Sequence, residues 1–345
     1  MRIAIVNDSP LAVEALKRVI VRESAYRLAW VAGDGAEAVE KCREDRPDIV
    51  LMDLSMPVMD GVESTRRIMS ESPCAILVVT ATVDGRFTEV FDAMGAGALD
   101  AVNTPDLRRD GEAGGGAALL DKLARVALLV VKGAPEGAEP AIGRRGGASA
   151  LSRLPPMVAI GASTGGPQAL AEVLSSLPAS FAAPVVIVQH VDVDFAPGLA
   201  SWLGERSALP VEVARAGGTL RPGVVLLAAT NDHLILTSRQ TLDYTPHPRK
   251  LVHRPSLDVF FRSLVENWRR PSVAAVLTGM GRDGADGLLA LRHAGWYTVA
   301  QDRATSVVFG MPRAAADAGA AARVLPIKEI GPAIATELER KRRAS

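Results

Sequence analysis

Ser163 stands in the run Ile160-Gly161-Ala162-Ser163-Thr164-Gly165-Gly166-Pro167, where an apolar strand pattern breaks into glycines and resumes at helical spacing through Leu170, Val173, Leu174 and Leu177. A serine on a tight strand-to-helix turn presents its hydroxyl at the sheet rim, and the N–H groups of the helix start face the place where an oxyanion would develop. This is the placement of a nucleophile. Such a serine needs a base within reach, and the base needs a third group to fix its tautomer and stabilise the imidazolium. Among five histidines, His190 closes the strand-like run 185–189 and so would arrive on the same rim as Ser163. His233 follows a turn, His247 lies in a proline-flanked loop, His253 precedes Arg254-Pro255 in a polar stretch, and His293 falls within a helix pattern. The acid has more candidates. Asp283 and Asp286 lie in the glycine-rich break after the run 273–277, Asp192 and Asp194 would have to fold back on His190, and Asp302 ends the next strand. Asp283 sits inside the tight loop, whereas Asp286 can simply open the following helix, which favours Asp283.

A second chemistry is spelled out near the N-terminus. Asp8 follows the first strand-like run and Asp53 the third, and in an open α/β sheet the C-terminal strand ends share one crevice. Two carboxylates there suit a hard cation such as Mg²⁺, which takes a few protein oxygens and leaves the rest of its octahedron to water and phosphate. Thr80 ends the fourth run, where its hydroxyl could meet a phosphoryl group on the same rim.

The elements that must position these residues alternate throughout. In the first half, strand-like runs 3–6, 28–31, 49–52, 76–79 and 99–102 are separated by amphipathic stretches starting near Leu11, Ala36, Val62 and Arg86, and followed by one over 119–131. Five βα units predict a doubly wound parallel sheet. Residues 132–155 lose all periodicity and read as a flexible linker. From 156 to 345 alternation resumes, with strands over 158–160, 185–188, 211–213, 273–277 and 298–300, and a β-hairpin expected around Thr230-Asn231-Asp232 between 224–228 and 234–237. This half is α/β as well, with a mostly parallel sheet and a hairpin extension.

Composition limits what the two halves can do. Apolar residues make up 48% of 345 and charged residues 23%, enough for two cores. The 39 basic and 39 acidic residues cancel, which removes the electrostatic footprint of sequence-independent nucleic-acid binding. Cys42 and Cys74 are too few for a disulfide framework or a zinc cage, and they fit a reducing cytosol. The first apolar run is too short for a signal peptide and no spanning segment follows, so a cytoplasmic protein without membrane insertion is expected.

Asp8-Ser9-Pro10, the run from Leu51-Met52-Asp53 through Met56-Pro57 to Asp60-Gly61, and Thr80-Ala81 resemble the receiver domain of response regulators over residues 1–131. The resemblance implies Asp53 as phosphoacceptor, Asp8, Asp53 and the Ser55 carbonyl as Mg²⁺ ligands, Thr80 as the sensor of the phosphoryl group, and a cognate histidine kinase as partner. Three positions depart from the pattern: Asn7 replaces the first acid, Thr104 the phosphate-facing lysine, and Ala101 the aromatic switch residue. A lost lysine removes a charge-assisted contact worth roughly 1.5–3 kcal/mol.

Ile160 to Gly166, Gln189-His190, His253-Arg-Pro-Ser-Leu-Asp258, Leu277-Thr-Gly-Met-Gly-Arg-Asp-Gly284, Ala300-Gln-Asp302 and Val308-Phe-Gly-Met-Pro312 together resemble the catalytic domain of chemotaxis-type protein-glutamate methylesterases. The resemblance covers about residues 156–330, the order receiver, linker, esterase is the family's own, and the first domain, from Val6-Asn7-Asp8-Ser9-Pro10-Leu11-Ala12 to Asn103-Thr104-Pro105, is similar to the Wsp-type branch. It implies a Ser163, His190, Asp283 triad, an oxyanion hole using the Met280 N–H with Thr164 in support, and no cofactor for the ester hydrolysis itself. The implied substrate is a γ-glutamyl methyl ester on a chemoreceptor, with amide hydrolysis at receptor glutamines as a second activity. At 228–233 the family's proline-glycine turn is absent, which bears on loop shape. Two rival readings differ in kind. A nucleotide-binding module would hold phosphate at the glycine turn, but the Gly-x-Gly-x-x-Gly pattern is missing. A phosphorylation-controlled scaffold with an inactive hydrolase domain would signal normally without Ser163.

Overall fold

Ile49, Val50, Leu51 and Met52 are completely buried, as expected for the middle strand of a parallel sheet covered by helices on both faces. The computed structural model describes residues 1–80, 87–105, 116–131, 155–249, 251 and 254–343. The chain divides into two compact units, Met1–Gly133 and Ala134–Ser345. The stretch expected as a linker, 132–155, lies outside the described residues except for Pro155, as do Ala81, Arg86 and His253.

The first unit runs β1 (Arg2–Val6), α1 (Pro10–Val21), β2 (Arg27–Ala32), α2 (Gly35–Glu44), β3 (Ile49–Met52), α3 (Gly61–Glu71), β4 (Ala75–Thr80), α4 (Phe87–Gly95), β5 (Asp100–Asn103) and α5 (Gly116–Val131). All pairings are parallel, in the order β2-β1-β3-β4-β5. The order reverses at β1, so the C-terminal ends of β1 and β3 open a crevice between them. Ser9, Asp34 and Asp60 cap α1, α2 and α3 with their side chains, which fixes where each helix leaves the rim.

The second unit contains β6 (Val158–Ala162), α6 (Gly166–Ser175), β7 (Val185–Gln189), α7 (Ala196–Glu205), β8 (Val211–Val213), β9 (Val225–Leu227), β10 (His233–Leu236), β11 (Leu242–Thr245), α8 (Leu257–Asn267), β12 (Val273–Val276), α9 (Ala285–His293), β13 (Tyr297–Gln301), α10 (Met311–Asp317), β14 (Arg323–Leu325) and α11 (Ile327–Arg343). Seven strands form one parallel sheet, β14-β13-β12-β6-β7-β9-β8, and β10 and β11 form a separate antiparallel pair. Both units are thus α/β, the second with its hairpin extension.

The hairpin lies one strand later than the sequence pattern predicts. The fully buried run Val225–Leu227 joins the main sheet in parallel between β7 and β8, and β10 turns back through 237–241 onto β11. Thr237 N donates to the Thr241 carbonyl, and Gln240 takes a positive φ of 62° there. A turn built on glutamine lacks the Asn-Gly or Asp-Gly signal, while Thr230-Asn231-Asp232 carries turn residues without making a hairpin. Among the described residues no helix is long and apolar enough to cross a membrane.

Candidate active site

β6 pairs in register with β7, Ala162 opposite Gln189, and with β12, Gly161 opposite Val276. Three neighbouring parallel strands therefore deliver Ser163, His190 and the 277–284 loop to one rim. The turn after β6 needs Gly165, whose φ of 75° is the left-handed region that favours glycine, and α6 opens directly behind it with Pro167 in its first turn. Gln189 ties two of the strand ends together: its Nε2 donates to the carbonyls of Ser163 (2.8 Å) and His190 (3.1 Å). His190 N also donates to the Ala162 carbonyl at 3.1 Å, and Ser163 N to the Thr278 carbonyl at 3.0 Å.

The choice among the acids follows from contacts. Asp283 Oδ2 lies 2.9 Å from His190 Nε2, with the two side chains only 10% and 7% exposed. Asp286 pairs instead with Arg282, Asp302 accepts from Thr305, and Asp192 accepts from the Asp194 N–H.

Asp283 is also the capping group of a helix that is not its own. Ser256 is the N-cap residue of α8, yet its side chain makes no cap bond to that helix. Its Oγ donates to Asp283 Oδ1 at 2.7 Å, while the first two helix N–H groups, Leu257 (2.7 Å) and Asp258 (3.2 Å), donate to the same carboxylate. Burial alone would raise the Asp283 carboxyl. The His190 hydrogen bond and charge, then the Leu257 N–H and Ser256 hydroxyl, overcome it and hold the group at about 2. Asp258 is driven the other way, to about 6, by burial and then by the charge of Asp283, against the Gly287 N–H that donates to it.

The third wall is the loop after β12. A Cβ on Gly279 would fall 2.3 Å from Met311 Sδ and 2.8 Å from Ser163 Cβ, so only glycine lets this loop close on the serine. Thr278 Oγ1 donates to the Thr164 carbonyl and accepts from Val308 N–H, both at 2.9 Å, and Gly279 exchanges backbone bonds with Val308 and Met311. Among the described residues, the N–H groups of Thr164 and Met280 have no acceptor in the protein. Thr164 follows Ser163 directly and Met280 follows Gly279, the residue that packs against Ser163 Cβ, so each carries an unused backbone donor close to the serine in the chain or in space.

In the first unit Asp53 follows β3 and accepts from Asn7 Nδ2 at 3.0 Å and Leu54 N at 2.7 Å. Asp8 is exposed at the adjoining end of β1, and Ser55 is exposed two residues after Asp53. Thr80 ends β4 and its carbonyl accepts from Thr104 N, while Ala101 is buried inside β5. Lys122 does not stand in for the missing lysine: it bonds Asp100 and the Ala101 carbonyl, at the beginning of β5 rather than its end.

Ser256, Leu257 and Asp258 lie within the motif 253–258, and their bonds to Asp283 are not visible from the sequence. Ser256 before an amphipathic stretch reads as an N-cap, and nothing linear shows that its hydroxyl serves a carboxylate 27 residues away.

Both halves of the chain match known families. Residues 158–334 match the family model described as CheB methylesterase, and residues 3–109 the response regulator receiver domain. The chain is 53% identical over 342 residues, 99% of both chains, to the protein-glutamate methylesterase/protein-glutamine glutaminase 4 of Burkholderia thailandensis. It is 49% identical over 343 residues, again 99% of both, to the protein-glutamate methylesterase/protein-glutamine glutaminase of Mesorhizobium japonicum. Among solved structures, the CheB methylesterase catalytic domain of Thermotoga maritima is 34% identical with a TM-score of 0.50, covering 53% of this chain and 98% of that one.

Proposed function

Because the chain belongs to the CheB methylesterase family, with a response regulator receiver domain ahead of the esterase domain, we propose that it is a phosphorylation-regulated serine hydrolase that demethylates γ-glutamyl methyl esters on methyl-accepting chemoreceptors. The observation that carries this reading is the buried 2.9 Å bond between His190 and Asp283 on the rim that also bears Ser163.

His190 meets Asp283 through Nε2, so Nδ1 is the nitrogen that takes the Ser163 proton as Oγ attacks the ester carbonyl. The Thr164 and Met280 N–H groups receive the negative charge that develops on the carbonyl oxygen. As the tetrahedral intermediate collapses, His190 returns the proton to the leaving methoxide and methanol departs. Water then attacks the acyl-serine with His190 again as base, which releases a glutamate carboxylate and restores the hydroxyl. Asp283 remains ionised throughout, because four hydrogen-bond donors hold it far below neutral pH. The same parts hydrolyse the side-chain amide of a receptor glutamine, the second activity in the relatives' names.

In the receiver domain Asp53 is the phosphoacceptor and a histidine kinase its phosphodonor. Asp8, Asp53 and the Ser55 carbonyl form an all-oxygen set with two carboxylates at neighbouring strand ends, which fits Mg²⁺. When bound, the cation supplies charge neutralisation for the phosphoryl group. Asn7 orients Asp53 through its amide, and Thr80 presents a hydroxyl on the same rim. A substrate on the cytoplasmic helices of a chemoreceptor puts this work in the cytoplasm.

The test is release of labelled methanol from methylated receptor membranes. Wild-type protein releases it and Ser163→Ala loses at least about a thousandfold in rate. Equal release by the two proteins would exclude the triad and favour a scaffold with an inactive hydrolase domain.

A further inference from the structure

His233 is completely buried at the start of β10, more than forty residues from His190 in sequence, and the proposed mechanism does not use it. Its Nδ1 accepts from Ser256 N at 3.1 Å, and its Nε2 lies 3.3 Å from the Pro248 carbonyl. The Pro248 oxygen can only accept, so Nε2 carries the hydrogen and Nδ1 keeps its lone pair for Ser256. Burial lowers the His233 pKa, against the Pro248 carbonyl, with the Arg254 charge adding to burial and the Asp283 and Asp232 charges opposing it. The ring is therefore neutral at physiological pH, in the one tautomer that satisfies both bonds.

Ser256 has no slack once that bond is made. Its N–H is fixed by His233, its Oγ is committed to Asp283, and the next two N–H groups are committed to the same carboxylate. The hairpin grips α8 again at the far end of β10, where Ser263 Oγ accepts from Leu236 N and Asn267 Nδ2 donates to the Leu236 carbonyl. The hairpin thus meets α8 at two places, and of these the His233 contact is the one at the end that meets Asp283.

We propose that His233 is a positioning residue for the esterase triad, which holds the Ser256 backbone so that the Ser256 hydroxyl and the α8 N-terminus fix Asp283 against His190. This rests on the reading of Ser163, His190 and Asp283 as an acyl-transfer site. Without the Nδ1 acceptor, Ser256 N–H is left buried and unsatisfied, the start of α8 shifts to find a partner, and Asp283 loses its fixed angle to the imidazole. Substrate does not touch His233, so binding is spared and the chemical step is slowed.

The experiment uses the full chain and a fluorophosphonate probe, which phosphonylates an activated serine and needs no receptor. Its outcome is therefore independent of whether a receptor methyl ester is the natural substrate. His233→Phe keeps ring volume without the acceptor, and His233→Asn keeps an acceptor oxygen near the position of Nδ1. Labelling of Ser163 should slow by roughly tenfold to a hundredfold in His233→Phe, in the maximal rate rather than in the half-saturating probe concentration, and His233→Asn should recover most of that loss. Ser256→Ala should also slow labelling, and adding His233→Phe to it should cost less than the product of the two single losses, because both act through one segment. The proposal is overturned if His233→Phe labels at the wild-type rate, if the loss appears only as weaker probe saturation, if Asn restores nothing, or if the double variant shows the full product.

Discussion

Asp258 belongs to the first turn of α8 and Asp283 accepts from that turn, yet the two carboxyls are driven in opposite directions. Asp283 takes the helix N–H groups, the serine hydroxyl and the imidazole, and it ionises readily. Asp258 is left beside that charge in a buried place, with its carboxyl pushed up to about 6. The sign for stability follows from proton binding. The folded state holds the Asp258 proton more tightly than the unfolded chain does, so stability falls as pH rises from about 4 to about 6, and the full penalty is present above that. Asparagine cannot ionise yet keeps an acceptor for Gly287 N, so Asp258→Asn should stabilise the esterase domain by about 1–3 kcal/mol at pH 8 and by nothing measurable near pH 4. Denaturant unfolding followed by tryptophan fluorescence reads this, since Trp202, Trp268 and Trp296 lie in the second unit and only Trp30 in the first. A difference that does not change with pH would refute the assignment. Asp283 has the opposite dependence: its contribution is present above about pH 4 and is lost as pH falls towards about 2. At this scale the sequence displays the reacting groups well. Ser163 and Asp283 stand beside glycines after apolar runs and His190 closes one, so all three candidate groups fall at strand ends, which a parallel sheet gathers on one rim. The donors around Asp283 are not legible, because Ser256 and α8 reach it by packing across the rim.

At the scale of elements, α8 carries the apolar mass that makes the rim rigid. Leu257, Phe260, Phe261 and Leu264 are completely buried against the sheet and the hairpin. Leu257 joins this core to the site: its N–H bonds Asp283 while its side chain fills the space that Gly161 leaves open on β6. A Cβ on Gly161 would fall 1.8 Å from Leu257 Cδ2, so the side chain must move, and the helix start moves with it. Gly161→Ala is therefore expected to cost about 1–3 kcal/mol of stability and also to lower the rate of Ser163 acylation, although residue 161 touches no reacting atom. Stability from unfolding and rate from probe labelling check the two halves separately; a stability loss with unchanged labelling would show that Leu257 does not transmit the shift. The βα alternation and all five receiver strands are visible in the apolar runs, and so is the parallel core of the second unit. The hairpin is displaced because a short, fully buried strand such as Val225–Leu227 reads equally well as a hairpin arm or a sheet strand. β14, three residues with two exposed, is too short for its Val324-Leu325 pair to mark a strand.

At the scale of the whole molecule, the question is how a phosphoryl group on Asp53 changes what Ser163 does. The receiver lacks the lysine and the aromatic switch of its family pattern, with Thr104 and buried Ala101 in those places, and Asn7 already holds Asp53 before any phosphorylation. Readout then falls on Thr80 and the rim around it. A receiver joined to a hydrolase can act by a population shift between a state of low and a state of higher esterase activity, with phosphorylation of Asp53 favouring the second. A low-activity state favoured by about 1–3 kcal/mol leaves roughly 0.6–16% of molecules in the active one, so removal of residues 1–131 should raise basal methanol release by about sixfold to 160-fold. A small-molecule acyl phosphate should move the full chain in the same direction by up to that amount, and Asp53→Asn should hold it at the basal rate. These arms separate two mechanisms. If truncation raises activity and the acyl phosphate does nothing, the receiver inhibits but the altered phosphate site no longer relieves it. If truncation lowers activity, the receiver is an activator and inhibition by its unphosphorylated form is wrong. A rise under both treatments, abolished by Asp53→Asn only for the acyl phosphate, is the result that ties the carboxylate after β3 to the serine after β6.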